Sequence, residues 1–128
     1  MTGVDNIPYG PGPLNGMRVL LVEDNAATAY LLETILMENG ARVVATCANS
    51  RDALAHLSHS PLDFALIDLH LADQFADELI AETIRRNLRF AILTGMLAFP
   101  SNVHEHAVAV LRKPVGRQSL VDLLASYA

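Results

Sequence analysis

Five short apolar runs alternate with segments whose apolar residues recur every three or four positions. This alternation constrains the fold more than any other feature of the chain, because the runs predict buried strands and the segments predict amphipathic helices. Strands that alternate with helices form βαβ units, so we expect an α/β fold, a doubly wound parallel sheet with helices on both faces. The predicted strands are 17–22, 41–46, 62–67, 90–93 and 107–111, and the predicted helices are 26–39, 51–59, 74–87 and 117–126.

The length of 128 residues is that of one domain, and 52% of the residues are hydrophobic. A chain of this size and composition can bury a substantial core. Its first residues are rich in glycine and proline, which oppose both helices and strands. We therefore interpret 1–16 as a flexible leader and 17–128 as the folded domain.

Charge and hydropathy patterning exclude several classes of partner. The net charge of -5 repels phosphate groups, so bulk charge does not favour a nucleic-acid partner. No apolar run approaches the roughly 20 residues of a membrane-spanning helix, so we expect no membrane partner. Cys47 is the single cysteine, which excludes an intramolecular disulfide and is typical of a reducing compartment. A cytoplasmic location is the resulting expectation.

The carboxyl ends of four predicted strands carry polar residues that an apolar strand does not need for folding. In an open parallel sheet this is the edge at which ligands bind. One of these polar residues is Lys113, the only lysine among the nine basic residues of the chain. The residues are Glu23 and Asp24 after the first strand, Asp68 after the third, Thr94 after the fourth and Lys113 after the fifth.

Three carboxylates at one edge repel one another unless a cation lies between them. Oxygen ligands alone select a hard ion such as Mg²⁺, which commonly binds one or two carboxylates and a phosphate. Lys113 adds a positive charge, and Thr94 adds a hydroxyl that can donate to a phosphoryl oxygen. The set predicts a pocket in which a phosphoryl group is moved onto an aspartate. Each residue alone also fits a solvated turn or a helix cap, so the prediction depends on the combination.

Four segments around these positions resemble the response regulator receiver domains of bacterial two-component signalling. They are VLLVEDN at 19–25, FALIDLHL at 64–71, AILTG at 91–95 and VLRKP at 110–114, and the similarity spans about 17–126. The resemblance implies a flavodoxin-like sheet of strand order 2-1-3-4-5, in which the first and third strands are neighbours.

The resemblance also implies a phosphoacceptor and a metal site. Asp68 would accept a phosphoryl group from the phosphohistidine of a histidine kinase or a histidine phosphotransfer protein. Asp24 would bind Mg²⁺ directly and Glu23 would act through water. Asp68 itself and the backbone carbonyl of His70 would complete the protein ligands.

A switch is implied at the fourth and fifth strand ends. Thr94 would bind the phosphoryl group and draw its loop inward, so that the region 95–106 changes its binding to partners. Lys113 would pair with the phosphoryl oxygens or, before phosphorylation, with Asp68. The Lys113–Pro114 bond resembles one that is cis in the family.

The chain departs from the family pattern in three places. Ala72 and Ala76 stand where many receivers have proline and glycine. We therefore expect the loop after Asp68 to differ in shape from the loop of those receivers. Val110 stands where many have Tyr or Phe, so coupling between an aromatic ring and the threonine cannot operate in that form. The segment TGMLAFP at 94–100 resembles an atypical branch that works with HWE-type histidine kinases, and we expect poor order over 97–106.

Two alternatives remain open from sequence. One is a pseudo-receiver that acts as an interaction scaffold without phosphorylation. The other is an aspartate-nucleophile phosphatase, which is less favoured because His70 stands where such an enzyme needs a second acid or base. A chain of 128 residues also leaves little room for a lid domain.

Overall fold

The computed structural model describes residues 12–71, 76–95 and 105–128, which contain five strands and four helices. Each predicted strand and helix is confirmed, with ends that differ by at most two residues. No helix in the described ranges is both long enough and apolar enough to cross a membrane. The elements are β1 (Arg18–Val22), α1 (Ala26–Glu38), β2 (Arg42–Cys47), α2 (Ser50–His59), β3 (Phe64–Asp68), α3 (Ala76–Arg85), β4 (Arg89–Thr94), β5 (Ala109–Arg112) and α4 (Arg117–Ala125).

The five strands form one sheet in the order β2-β1-β3-β4-β5, and every neighbouring pair is parallel. The predicted fold class and strand order are therefore confirmed. β1 and β3 are neighbours, with Val22 beside Ile67 at their carboxyl ends. Residues that directly follow these two strands are consequently brought to the same edge of the sheet.

Alternate side chains of the central strands point into two separate apolar clusters, one on each face of the sheet. On one face Leu21 of β1 packs with side chains of α1 and α4, and on the other face Leu20 packs with side chains of α2 and α3. Both leucines are fully buried, and each such side chain contributes about 1.5–3 kcal/mol through removal from water. Cys47 is a free, buried thiol in the second cluster.

The ends of α1 are fixed by local hydrogen bonds and by one glycine. The side chain of Asn25 accepts from the Thr28 N–H at 2.9 Å, which caps the first turn. At the other end Gly40 adopts a φ of 97°, a conformation that favours glycine and terminates the helix. The cap at Asn25 holds the chain that leaves β1, so it also sets where the two preceding acidic residues lie.

Residues 12–16 form a hydrogen-bonded turn that Leu14 anchors in the core, which differs from the expected flexible leader over 1–16. Leu14 is fully buried in the α1–α4 cluster, and its N–H donates to the Asn39 carbonyl at 2.8 Å. At Gly12 an added Cβ would lie 2.4 Å from the Asn39 oxygen, so the close approach requires glycine there. Burial of one leucine therefore orders a segment whose composition alone indicates flexibility. Residues 1–11 lie outside the described ranges.

Candidate functional site

Backbone hydrogen bonds extend the sheet past the residues that end its strands. The Leu69 N–H donates to the Leu93 carbonyl at 2.9 Å, one residue beyond the end of β3. The Lys113 N–H donates to the Thr94 carbonyl at 2.8 Å, one residue beyond the end of β5. Asp68, Thr94 and Lys113 are therefore held by the sheet itself, whereas Asp24 and His70 lie in the turns that follow β1 and β3.

The structure brings the three predicted carboxylates together. Glu23, Asp24 and Asp68 each offer an oxygen, and these oxygens all lie within 4.8 Å of one another. Glu23 and Asp68 are buried, with 2% and 4% of their surface exposed, whereas Asp24 is exposed. One Glu23 oxygen accepts from the Asn25 N–H at 3.1 Å, which fixes the orientation of this carboxylate.

Lys113 contacts two of the three carboxylates. Its Nζ lies 2.6 Å from Glu23 Oε1 and 3.1 Å from Asp68 Oδ2. Sequence reasoning anticipated the contact with Asp68 but not the one with Glu23, because no local pattern links a residue after β1 to a residue after β5. The Lys113–Pro114 bond is cis, as the family resemblance predicts.

The two buried carboxylates have opposite pKa shifts. Burial raises the pKa of Glu23 above its ordinary value and the Asp68 charge adds to this, while Lys113 offsets only part of the rise. Burial also acts to raise the pKa of Asp68, but the hydrogen bonds that it accepts from the His70 N–H and from Lys113, together with the neighbouring Glu23 carboxyl group, outweigh burial and hold that pKa below its ordinary value. The pocket therefore favours the ionised form of Asp68, which is the form that can attack an electrophile.

His70 contacts both the acidic residue of β3 and the threonine of β4. Its backbone N–H donates to Asp68 Oδ1 at 2.9 Å, and its Nε2 lies 3.3 Å from Thr94 Oγ1. Thr94 is fully buried, whereas His70 is exposed. The family resemblance implies a role for the His70 carbonyl, and the sequence also favours a position of its side chain at the mouth of the pocket. The contact of the ring with Thr94 depends on a side-chain rotamer, which local sequence does not determine.

The donor set fits a hard divalent cation such as Mg²⁺. Glu23, Asp24 and Asp68 offer only oxygen atoms, and they form the one group of three or more potential metal ligands in the described residues. The Lys113 ammonium group already lies between the carboxylates of Glu23 and Asp68, so the cluster accommodates a positive charge. Oxygen-only sites with several carboxylates select Mg²⁺ or Ca²⁺ over softer metals.

Two departures from the receiver pattern can be located in the structure. Ala76 is the first residue of α3, and Val110 is half-buried against the apolar cluster beneath α2 and α3. Ala72 and the segment 96–104 lie outside the described residues. The expected shape of the loop after Asp68 and the expected poor order over 97–106 therefore stay predictions.

The response regulator receiver domain is the family whose sequence model matches this chain, over residues 19–125. The chain belongs to the response regulator receiver family. Receiver domains are phospho-accepting signalling modules of two-component systems rather than classical enzymes. The match includes every strand end that supplies a residue to the acidic pocket, so the recognition made from the four short segments is confirmed.

Known receivers and related proteins agree with this assignment. Sensor protein TorS of Escherichia coli (strain K12) is 32% identical over 121 residues, which cover 89% of this chain but 13% of that protein. A sensor protein from Polaromonas sp. JS666 is 26% identical, with a TM-score of 0.74 over 87% of this chain and 94% of that chain. The receiver domain of sensor histidine kinase PA1611 from Pseudomonas aeruginosa PAO1, solved with magnesium in its active-site cleft, is 24% identical, with a TM-score of 0.76 over 88% and 97% of the two chains.

Proposed function

We propose that Asp68 accepts a phosphoryl group from the phosphohistidine of a partner histidine kinase or histidine phosphotransfer protein. The observation that carries the proposal is the pair of contacts on the Asp68 carboxylate, with Lys113 at one oxygen and the His70 N–H at the other. These contacts orient the carboxylate and favour its ionised form in a buried pocket. A sensor protein among the relatives supports a kinase or phosphotransfer partner.

In the proposed transfer an Asp68 oxygen attacks the phosphorus atom as the phosphorus–nitrogen bond of the phosphohistidine breaks. The electron pair of that bond stays on the imidazole nitrogen, which takes up a proton, and Asp68 becomes an acyl phosphate. The chain contributes position and charge compensation, since no side chain has to move a proton to activate an ionised carboxylate. Two reactions are required of this site at most. They are the phosphorylation of Asp68 and the hydrolysis of the resulting acyl phosphate by water.

Four residues would hold Mg²⁺ in this proposal. Asp24 and Asp68 would bind it through carboxylate oxygens, Glu23 through water, and His70 through its backbone carbonyl. A bound Mg²⁺ supplies positive charge that reduces repulsion between the carboxylates and the phosphoryl oxygens. The fit of the oxygen-only cluster to a hard cation and the magnesium in the related PA1611 receiver support this assignment.

Phosphorylation would act as a switch through Thr94 and Lys113. The Thr94 hydroxyl and the Lys113 ammonium would bind phosphoryl oxygens, and the Thr94 loop with the region 95–106 would rearrange and change its binding to partners. Since Val110 occupies the position of the usual aromatic residue, this movement proceeds without an aromatic ring behind the threonine. The HWE-type kinases are the donors that the segment 94–100 favours.

The direct test is incubation of the full chain with acetyl phosphate and Mg²⁺, followed by mass spectrometry of the intact protein. We expect a gain of one phosphoryl group that disappears when Mg²⁺ is chelated and in Asp68→Ala. Asp122→Asn is the matched control, because Asp122 is an exposed aspartate on α4, outside the acidic cluster. It should be phosphorylated as the unsubstituted chain is.

Two other results contradict the proposal in different ways. Continuous release of phosphate from simple phosphate esters, with no stable protein adduct, would indicate an aspartate-nucleophile phosphatase. An unmodified chain under all conditions, including incubation with a phosphorylated histidine phosphotransfer domain, would indicate a pseudo-receiver scaffold.

A further inference from the structure

A hollow of about 460 Å³ opens to solvent at the amino edge of the sheet, away from the acidic cluster at the carboxyl edge. It is formed where α2 leads into β3 and where α3 leads into β4. Its volume is in the range of small-molecule sites in proteins. The residues that line it include three leucines and three charged residues, Leu57, Leu62, Leu88, Asp63, Arg86 and Arg89. The hollow therefore combines apolar walls with charged groups.

The carboxylates near the hollow are already shared among arginines. Both oxygens of Asp63 accept hydrogen bonds from Arg18. Glu82, near the end of α3, pairs with both Arg85 and Arg86. Two carboxylates are thus matched against three guanidinium groups. The end of α3 consequently carries positive charge that these carboxylates do not compensate.

Arg89 adds a guanidinium group that pairs with no carboxylate in the described ranges. It is the exposed first residue of β4, and its Cζ lies 5.0 Å from the centre of the Tyr127 ring. Contact with the face of a ring positions a guanidinium group but does not use its N–H groups. Such N–H groups can bind two oxygens of one phosphate or carboxylate. Arg89 therefore presents a positioned, uncompensated positive charge at the hollow.

We propose that the hollow binds a small phosphate monoester, whose phosphate group is held by Arg86 and Arg89 and whose apolar part packs on the leucines. Arg89 brings the excess of arginines over carboxylates around the hollow to two, and a phosphate monoester carries a charge of about −2 at pH 7. The leucines favour an ester over the free phosphate ion, because they remove its apolar group from water. The hollow shares no residue with the acidic cluster, so this inference goes beyond the proposed function and does not depend on it.

The probe is phenyl phosphate, a phosphate monoester with one aromatic ring, added to the full chain in chelator so that no divalent cation brings phosphate to the acidic cluster. Two-dimensional amide NMR spectra locate the binding and give its affinity. We expect saturable shifts of the amide signals over 57–63 and 86–90. Inorganic phosphate should bind about fivefold or more weakly, because it has no apolar group to bury. Phenol, which has the ring without the charge, should give no saturable shifts at the same concentrations.

Substitution of the two arginines tests their role. Arg89→Met keeps the aliphatic stem and removes the guanidinium group, and we expect it to weaken phenyl phosphate binding about tenfold or more. Arg86→Met should weaken binding by a smaller factor, because Glu82 already compensates part of its charge. Arg42→Met is the matched control, since Arg42 is an exposed arginine that begins β2 and does not line the hollow. At about 0.15 M salt, charges more than about 8 Å away are largely screened, so this control should bind as the unsubstituted chain does.

Three results overturn the proposal. The first is the absence of saturable shifts at millimolar phenyl phosphate. The second is an affinity that is unchanged in both Arg89→Met and Arg86→Met, or lowered equally in Arg42→Met, which would indicate attraction by general positive charge. The third is equal affinity for phenyl phosphate and inorganic phosphate, which would exclude a role of the leucines. If Arg89→Met loses the dispersed amide signals of the folded chain, Arg86→Met decides alone, because its side chain is in the turn after α3. None of these results depends on phosphorylation of Asp68.

Discussion

Lys113 Nζ lies closer to Glu23 Oε1, at 2.6 Å, than to Asp68 Oδ2, at 3.1 Å. The only lysine of the chain is therefore shared between a buried glutamate and Asp68, the proposed phosphoacceptor. Before a cation or a phosphoryl group arrives, this one ammonium group compensates two buried negative charges. Its removal should accordingly affect the folded state as well as the response to phosphorylation.

Substitution of Lys113 should make stability depend more strongly on Mg²⁺. In Lys113→Met two buried carboxylates lose their shared counter-charge, and we expect the free energy of unfolding to fall by about 2 kcal/mol in chelator. Saturating Mg²⁺ should recover most of this loss, because it compensates the same charges. Urea unfolding of both proteins, with and without Mg²⁺, measures the effect.

An exposed ion pair provides the comparison for Lys113. Arg117 lies 2.6 Å from Glu38, and about half of each side chain is exposed. Arg117→Met should change the free energy of unfolding by less than about 1 kcal/mol, with no dependence on Mg²⁺. Equal losses in the two variants, or a Lys113→Met loss that ignores Mg²⁺, would contradict the charge-compensation account.

The buried leucine before β1 should matter for stability. Leu14→Ala removes a fully buried side chain from the core, and we expect a loss of about 2–4 kcal/mol in the free energy of unfolding. Leu31→Ala is the matched control, because 48% of Leu31 is exposed on α1, and its loss should stay under about 1 kcal/mol. Urea titration followed by circular dichroism compares them, and a Leu14→Ala loss as small as that of Leu31→Ala would show that residues 12–16 are not part of the folded unit.

Acid should weaken a contact at the opposite edge of the sheet. Asp63 accepts from the Arg18 backbone N–H at 2.8 Å and from two guanidinium nitrogens at 3.0 Å. The Arg18 side-chain hydrogen bonds hold the pKa of Asp63 below its ordinary value against a smaller opposing effect of burial. A lowered pKa means that the stabilisation is fully present above about pH 4 and is lost as the pH falls through the lowered pKa.

Asp63→Asn tests this acid dependence. Both side chains are about two-fifths exposed, so solvent screening limits the expected loss at pH 7 to about 1 kcal/mol. The difference from the unsubstituted chain should shrink as the pH falls from about 4 toward the lowered pKa of Asp63, because the unfolded chain takes up a proton at this carboxyl group before the folded chain does. A difference that stays constant from pH 7 to pH 3 would assign the loss to packing rather than to charge.

The sequence predicts the strand ends well because each apolar run ends where a charged or hydroxyl residue begins. That local signal located Glu23, Asp24, Asp68, Thr94 and Lys113, and the parallel sheet follows from the alternation of helices with strands. The order of the strands depended on resemblance to a family. Periodicity determines which segments are strands, whereas the pairing of β1 with β3 is decided by how the whole core packs.

Contacts that depend on rotamers or on distant chain segments were not accessible from sequence. The Glu23–Lys113 ion pair and the His70–Thr94 contact require the three-dimensional approach of side chains from different strands. Leu14 was missed for a different reason. Glycine and proline around it are equally compatible with a disordered tail and with a tight packed turn, and only the burial of the leucine decides between them.

The residues of the pocket come from strand ends that are far apart in sequence, from Glu23 near the start of the domain to Lys113 near its end. Closing so long a segment of chain is entropically unfavourable, and the hydrogen-bonded, apolar sheet compensates for it when the domain folds. A partly folded chain that lacks β5 has no lysine beside Asp68, so the pocket is assembled only when folding is complete. Competence to accept a phosphoryl group should consequently report on the integrity of the whole domain.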